Sequence, residues 1–599
     1  MSSFTKNRYN GWSFPDFRKA PFFRTVLWLK RKGSCETARR SGWKAAEKSL
    51  TDQTAAYWNK IKDMIRVHQV KTADPADLEK QLLHKLKLPA RDLLSWKIHR
   101  RSIDARGQKV LYSYVIDAEV KNEEKFLGRK DIFKTPDETF RFHPEGEKPL
   151  ENRPVVVGFG PAGLFGALLL AEYGYRPLVI ERGSAIEKRT EDVNRFWKEG
   201  VLDPESNVQF GMGGAGSFSD GKLTTRSKDL KGRKVLSDLV SLGADEQILI
   251  DQHPHIGTDG FIEILKAARK RIEEQGGQFL FDTRLDDIET EDGRLVRIVL
   301  SQKDLDHPGQ RKTFTLPAQA LIFASGHSAE DTQRALHESG LQMEPKNFAV
   351  GVRIEHLQKF INEAMLHEAA DHPDLIPARY QLTYTADTGR GVYTFCMCPG
   401  GYVIPASSAF ETVVCNGMSY SDRAGSQANS ALLVQVMPED YGDGLFDGMN
   451  FQQKLEKDAY ALSGSYKAPV QLASDFLEGR LSDHFEEVKP TYALGTVFAD
   501  FNQIFPETIA HSLHEALENF EKKVPGFTKD AVLTGMETRS SSSIRISRDP
   551  KTLLSNIGGF YPCGEGSGYA GGIMTSAIDG LRCAMELMDV YARPDLHER

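Results

Sequence analysis

The apolar run Val155-Val156-Val157 leads directly into Gly158-Phe159-Gly160-Pro161-Ala162-Gly163, and few folds accept that succession. A buried strand must end in a tight turn and a helix must begin at once. Gly158 is expected to make the turn, Gly160 to let a pyrophosphate reach the backbone, and Gly163 to let the helix pack on the strand. Pro161 and Ala162 share this turn. Leu164, Ala167, Leu168 and Ala171 recur at helical spacing up to Gly174, and a second strand, Leu178-Val179-Ile180, ends on Glu181 and Arg182. A helix N-terminus offers free N–H groups and a positive dipole end to phosphates. A carboxylate at Glu181 is placed to accept ribose hydroxyls and to disfavour a 2′-phosphate. Glycines alone would mean little. Strand, glycines, helix, strand and acid in this order predict a dinucleotide-binding Rossmann-like unit.

A second run, Gly211-Met212-Gly213-Gly214-Ala215-Gly216, repeats the spacing, but a polar stretch through Lys222 follows it. It predicts a loop rather than a second Rossmann turn. Gly213, Gly214, Ala215, Gly216 and Lys222 are candidate cofactor contacts. Near the C-terminus, a short apolar strand ends in Gly564-Glu565. A turn through Gly571-Gly572 follows, and then a helix from Ile573 with Ala577, Leu581, Ala584 and Met588 on one face. Another buried strand, Ala320–Ala324, ends in Ser325-Gly326.

This pairing of an early G-x-G-x-x-G with a late Gly-Glu resembles the two-dinucleotide-binding-domain flavoproteins. The resemblance implies FAD as cofactor, with Glu565 toward the ribityl–pyrophosphate region and the helix from Ile573 aimed at the flavin pyrimidine edge. Ala324-Ser325-Gly326 resembles the A-T-G strand of that superfamily. The phrases Gly214–Leu223, Gly351–His356, Phe395–Gly401 and Glu537–Ser542 resemble the bacterial FAD-dependent dehydrogenase family of unassigned substrate, related to aminoacetone-oxidase-like flavoproteins.

The fold class expected is α/β: a Rossmann-like FAD-binding domain with an inserted α+β substrate or cap domain and a small N-terminal α+β domain. The divisions expected are a basic extension over 1–63, the small domain over 64–133, a linker over 134–153, the first FAD-binding part over 154–330, the cap over 331–535, and the last FAD-binding part over 536–599. Residues 1–63 hold 14 Lys+Arg against 5 Asp+Glu and four of the six tryptophans. Three readings stand for them: a translated upstream stretch with Met64 as the start, which is favoured; a basic targeting arm; or a nucleic-acid- or membrane-contacting tail. In the small domain, a strand over Ile65–Val70 precedes a helix bearing Leu78, Leu82 and Leu86. Strands around Trp96–Ile103 and Val110–Val120 are joined at Arg106-Gly107.

The 599-residue chain carries a net charge of −6, against nucleic-acid binding by the chain as a whole. No apolar run is long enough for a membrane span. Six scattered cysteines fit a reducing cytoplasmic setting, and Cys396 and Cys398 match neither C-x-x-C nor a zinc pattern. No metal is expected. His327, Lys222 and Cys398 are weak catalytic candidates. Arg353, His356, Arg539 and Arg545 are candidates for an anionic substrate, with ion pairing inside the cap as the competing reading. The function expected is hydride transfer between flavin and a small-molecule substrate, with any NAD(P)H binding transiently. A flavoprotein acting on RNA through its N-terminal domain and a non-catalytic flavin sensor are the alternatives. The sequence leaves substrate, electron acceptor and oligomeric state open.

Overall fold

A computed structural model describes residues 64–596 apart from 106–109, 225–228, 305 and 308. The readings of residues 1–63 and of the joint at Arg106-Gly107 lie outside the described residues. The chain divides into two compact units. The smaller takes in 64–67, 89–96 and 117–137. In it Ile65–Val67 pair antiparallel with Ile132–Lys134, and the buried Arg66 guanidinium donates to both Asp117 carboxylate oxygens at 2.7 and 3.0 Å. The larger takes in 68–88, 97–116 and everything from 138 on. Its helix Leu78–Leu86 buries Leu78, Leu82 and Leu86, the stripe that the spacing predicts. The expected linker, 134–153, begins on the last residue of the strand Ile132–Lys134 and from Thr135 on forms no helix and no named strand.

The centre of the larger unit is a five-stranded parallel sheet in the order Phe560–Pro562, Leu321–Phe323, Val155–Val157, Leu178–Ile180, Gln278–Leu280. Strand alternation gives it two buried faces. Val156, Val179, Ile322 and Tyr561 join one apolar cluster with the helices Pro161–Glu172, Gly257–Glu274 and Ile573–Val590. Val155, Val157, Leu321, Phe323 and Phe560 join another, with the antiparallel strands Thr283–Glu291, Arg294–Lys303 and Arg311–Pro317. A sheet buried on both faces reads as continuous apolar triplets, as four of these strands do; the edge strand opens on the exposed Gln278. The turn at Asp292-Gly293 takes positive φ at both residues (49° and 71°), as a two-residue hairpin of primed type requires.

Residues 348–537 build a second sheet of seven strands, in the order Thr383–Thr385, Gly391–Cys398, Gln427–Val436, Phe348–Leu357, Val532–Glu537, Ala468–Leu472, Thr496–Phe498. All neighbours are antiparallel except the last pair. Its apolar face packs on the helix Glu507–Lys523 through Leu513, Leu517 and Phe520. The fold is therefore the α/β class expected, with a parallel sheet closed by the last strand among the described residues. Among the described residues no helix is long and apolar enough to cross a membrane.

Candidate active site

The first glycine turn forms as its spacing requires. Gly158 has φ +87°, and a Cβ there would stand 2.3 Å from the Ala324 carbonyl oxygen. A Cβ on Gly163 would stand 1.9 Å from the Gly158 oxygen. Both glycines are demanded by the protein itself. Gly160 is not. Its φ is −73°, and its nearest neighbour to an added Cβ is Gly214 Cα at an ordinary 3.6 Å. Gly571 has no positive φ and nothing within 4 Å. At both positions the space that a side chain would fill is left open.

The second glycine run folds onto the first. The Gly213 N–H donates to the Phe159 carbonyl at 2.8 Å, and a Cβ on Gly214 would stand 2.9 Å from Gly160 Cα. Ala215 opens a short 3-10 turn, Ala215–Phe218. A Cβ on Gly216 would lie 3.3 Å from Ile573 and 3.5 Å from Pro161. Thus the glycine loop, the N-terminus of the helix Pro161–Glu172 and the N-terminus of the helix Ile573–Val590 meet at one place. The two helices cross closely: a Cβ on Gly580 would stand 2.0 Å from the Ala162 oxygen. Gly564 lies against Ala162, and its N–H donates to Asp579 at 2.8 Å. Gly326 (φ +75°) and Gly572 (φ +110°) have open space around them, and Ser325 Oγ donates to the Gly326 carbonyl at 3.3 Å.

Arg189 holds the loop and is absent from the site residues expected from sequence. Fully buried, it donates to the carbonyls of Asn207, Val208, Gly211 and Met212. Burial pulls its guanidinium down to about 10. A signal for it existed: Arg189 stands on the apolar stripe of Ile186, Val193 and Phe196.

Two expected contacts take other partners. Glu181 does not present an open carboxylate. Its oxygens accept from the N–H groups of Phe159 (2.8 Å), Gly183 (2.9 Å) and Gly211 (3.0 Å). It clips both glycine turns to the second strand, and any ribose hydroxyl must share those oxygens. Burial raises its pKa while the amides oppose the rise. Arg182 is engaged by Glu205 (2.7 Å) and Asp331 (2.6 Å) and lies over the Phe210 ring.

Beyond the flavin-type turns lie the titratable groups. His327 Nδ1 stands 3.8 Å from Glu565, and its buried Nε2 has no hydrogen-bond partner among the described residues. Burial, helped by Arg539 and Lys346, pulls His327 down to about 3; burial pushes Glu565 up to about 7 against the pull of Lys346. Near neutrality this histidine is uncharged. Lys222 donates to the Met397 carbonyl and stands 3.7 Å from Asp220. Cys398 is buried and Cys396 partly exposed.

The four residues weighed for an anionic substrate have partners within the protein. Arg353 binds Asn429 (2.6 Å) and Glu537 (3.4 Å), and Arg539 binds Glu456 (2.6 Å) and Glu330. Arg545 faces Glu344 at 3.4 Å, and His356 Nε2 lies 2.8 Å from the Phe527 carbonyl. A different arginine has spare capacity. Arg423, only 4% exposed, donates to Asp220 at 2.8 Å, while its Nε and Nη1 lack partners among the described residues. Sequence spacing offered no signal for it.

Residues 347–540 match the family described as FAD-dependent protein, C-terminal domain-like, and residues 63–119 match a domain of unknown function. An uncharacterized protein of Clostridium beijerinckii is 42% identical over 541 residues, which are 88% of this chain and 99% of that one. The chain belongs to this family of FAD-dependent proteins. Among solved structures, a geranylgeranyl bacteriochlorophyll reductase-like protein of Thermoplasma acidophilum is 13% identical over 72% of this chain and 77% of its own (TM-score 0.31). A halogenase PltM variant in complex with FAD is 12% identical over 74% and 70% (TM-score 0.33). Likenesses this weak support no argument about activity. The residues of the FAD-dependent protein fit its cofactor on their own evidence: the glycine backbone at Gly160 and Gly571 is left open, and two helix N-termini converge where phosphates and a flavin edge need positive dipole ends.

Proposed function

We propose that this protein is an FAD-dependent dehydrogenase or reductase that moves a hydride between flavin N5 and a small-molecule substrate. The observation that carries this reading is the meeting of Gly160, Gly214, Gly216 and Ile573, with titratable groups gathered beside them. Bound FAD supplies the hydride acceptor and donor; the protein positions, desolvates and manages protons. The N-terminus of the helix from Ile573 favours negative charge at the cofactor edge it faces. His327 offers one neutral imidazole with a free nitrogen, and Glu565 keeps a proton below about pH 7. The unpaired N–H groups of Arg423 beside Lys222 favour an acidic substrate.

The basic cluster Lys97, His99, Arg100 and Arg101 on the strand Leu93–Asp104 gives the RNA reading little support. Arg101 is bound to Asp251 at 2.7 Å and His99 stands 3.7 Å from Glu138.

The test is an absorbance spectrum of the purified holoprotein, repeated without oxygen after adding NADH or NADPH. Bleaching by a nicotinamide identifies a reductase with transient NAD(P)H binding. A spectrum that bleaches only with a metabolite identifies a dehydrogenase. A flavin that no donor reduces overturns the proposal in favour of a sensor.

A further inference from the structure

The strand Gly391–Cys398 does not run regularly. Phe395 pairs with Ala431 and Cys398 with Asn429, so three steps on one strand face two on its neighbour. The extra residue forms a bulge, and Cys396 within it takes φ +45°. In a regular strand, residues two apart point the same way but stand too far apart to bond. A bulge re-aims side chains. Here it turns the Cys398 thiol back toward its neighbour: the S–H donates to the Cys396 carbonyl at 3.2 Å.

Both cysteines are held from outside the strand. Arg353 Nη2 donates to the Cys396 carbonyl at 3.1 Å and stands 3.7 Å from Cys398 Sγ. Lys222 donates to the carbonyl of Met397, the residue between them. Lys222 continues from the glycine loop that rests on Gly160, so this bond ties the bulge to one wall of the cofactor site. The charge of Cys396 adds to the rise in the pKa of Glu565 in the late Gly-Glu turn. The two sulfurs differ. The Cys398 thiol lowers the pKa of Cys396 to about 6, with Lys222 and Arg353 helping against burial, whereas that of Cys398 is raised. A partly exposed thiolate beside a buried thiol is the arrangement of an attacking and a resolving cysteine.

We propose that Cys396 and Cys398 form a second redox couple, a dithiol–disulfide pair built by the strand bulge, that exchanges two electrons with FAD. In the oxidising direction the Cys398 S–H bond is lost and one S–S bond forms between the Cys396 thiolate and Cys398. The two electrons and that single proton pass to the flavin as a hydride equivalent. The reverse step reduces the disulfide. The inference rests on the flavin being redox-active, as in the function proposed above.

The test uses the holoprotein. It is oxidised with diamide, freed of reagent and titrated with dithionite without oxygen, and its peptides are mapped by mass after alkylation. The expected result is a 2-Da loss within the peptide Gly391–Arg423, placed by fragmentation between Cys396 and Cys398, and four electrons consumed per FAD. Mapping is required because the buried Cys563 and Cys583 also lie close together. Cys398→Ser is expected to keep its FAD and to consume two electrons. Should that variant fail to fold, the disulfide map and electron count of the unaltered protein decide alone. Two electrons per FAD in the oxidised protein, or no Cys396–Cys398 bond, overturns the dithiol couple while leaving flavin reduction intact. A flavin that dithionite reduces but no biological donor does counts against the proposed function and not against the couple.

Discussion

At the scale of single residues, the glycines separate two demands. Gly163 serves the fold and Gly160 serves a ligand, so the same Gly→Ala change should have opposite signatures. Gly160→Ala is expected to leave thermal unfolding of the FAD-free protein unchanged and to weaken FAD binding at least about tenfold, or about 1.4 kcal/mol. Gly163→Ala should lower stability of the FAD-free protein outright, because its Cβ meets backbone. Thermal unfolding and flavin-fluorescence titration of both variants check this. Glu181→Ala strands three buried N–H groups, each worth about 1–3 kcal/mol when unmade, and should cost about 3 kcal/mol or more in denaturant unfolding. Glu565 gives a pH dependence. Its pKa in the folded protein is raised to about 7 from 4.5, so the folded state binds the extra proton. The associated stability is complete below about 4.5 and lost as pH rises through about 7. Glu565→Gln should flatten the decline in unfolding free energy between pH 5 and 8.

At the scale of elements, the site depends on how closely two helices cross. Gly580 faces Ala162, and the helices bearing these residues begin at the cofactor site. Gly580→Ala should force them apart, costing about 1–3 kcal/mol and releasing FAD although the residue contacts no ligand. Flavin retention on a desalting column measures the effect. Elements with strong local rules were legible in sequence: the glycine turn after Val157 and the stripe Leu78-Leu82-Leu86. Contacts between distant segments were not. Nothing around Glu181 announces three amide donors from residues 159, 183 and 211, because that carboxylate is buried by the fold and not by its neighbours in sequence. The bulge at Cys396 was equally hidden, since a C-x-C spacing carries no record of strand register.

For the whole molecule, the parallel sheet takes four strands from residues 155–323 and its fifth from 560–562. A chain ending before residue 555 loses that strand and the helix Ile573–Val590, whose Leu581, Ala584 and Leu587 are fully buried. It should bind no FAD and should accumulate in the insoluble fraction; soluble, flavin-loaded protein would refute the dependence.

The same threading sets a timetable. During synthesis, Leu321–Phe323 leaves the ribosome with one side unpaired, and its partner follows roughly 240 residues later, roughly 12–48 s at usual elongation rates. For that interval a flat apolar strand edge stands open to other chains. The cofactor cannot shorten the wait, because half of its cradle has yet to be made. Flavin capture thus waits for the strand Phe560–Pro562 and the helix Ile573–Val590, and a chain terminated before them carries its own label as one that never acquired a yellow colour.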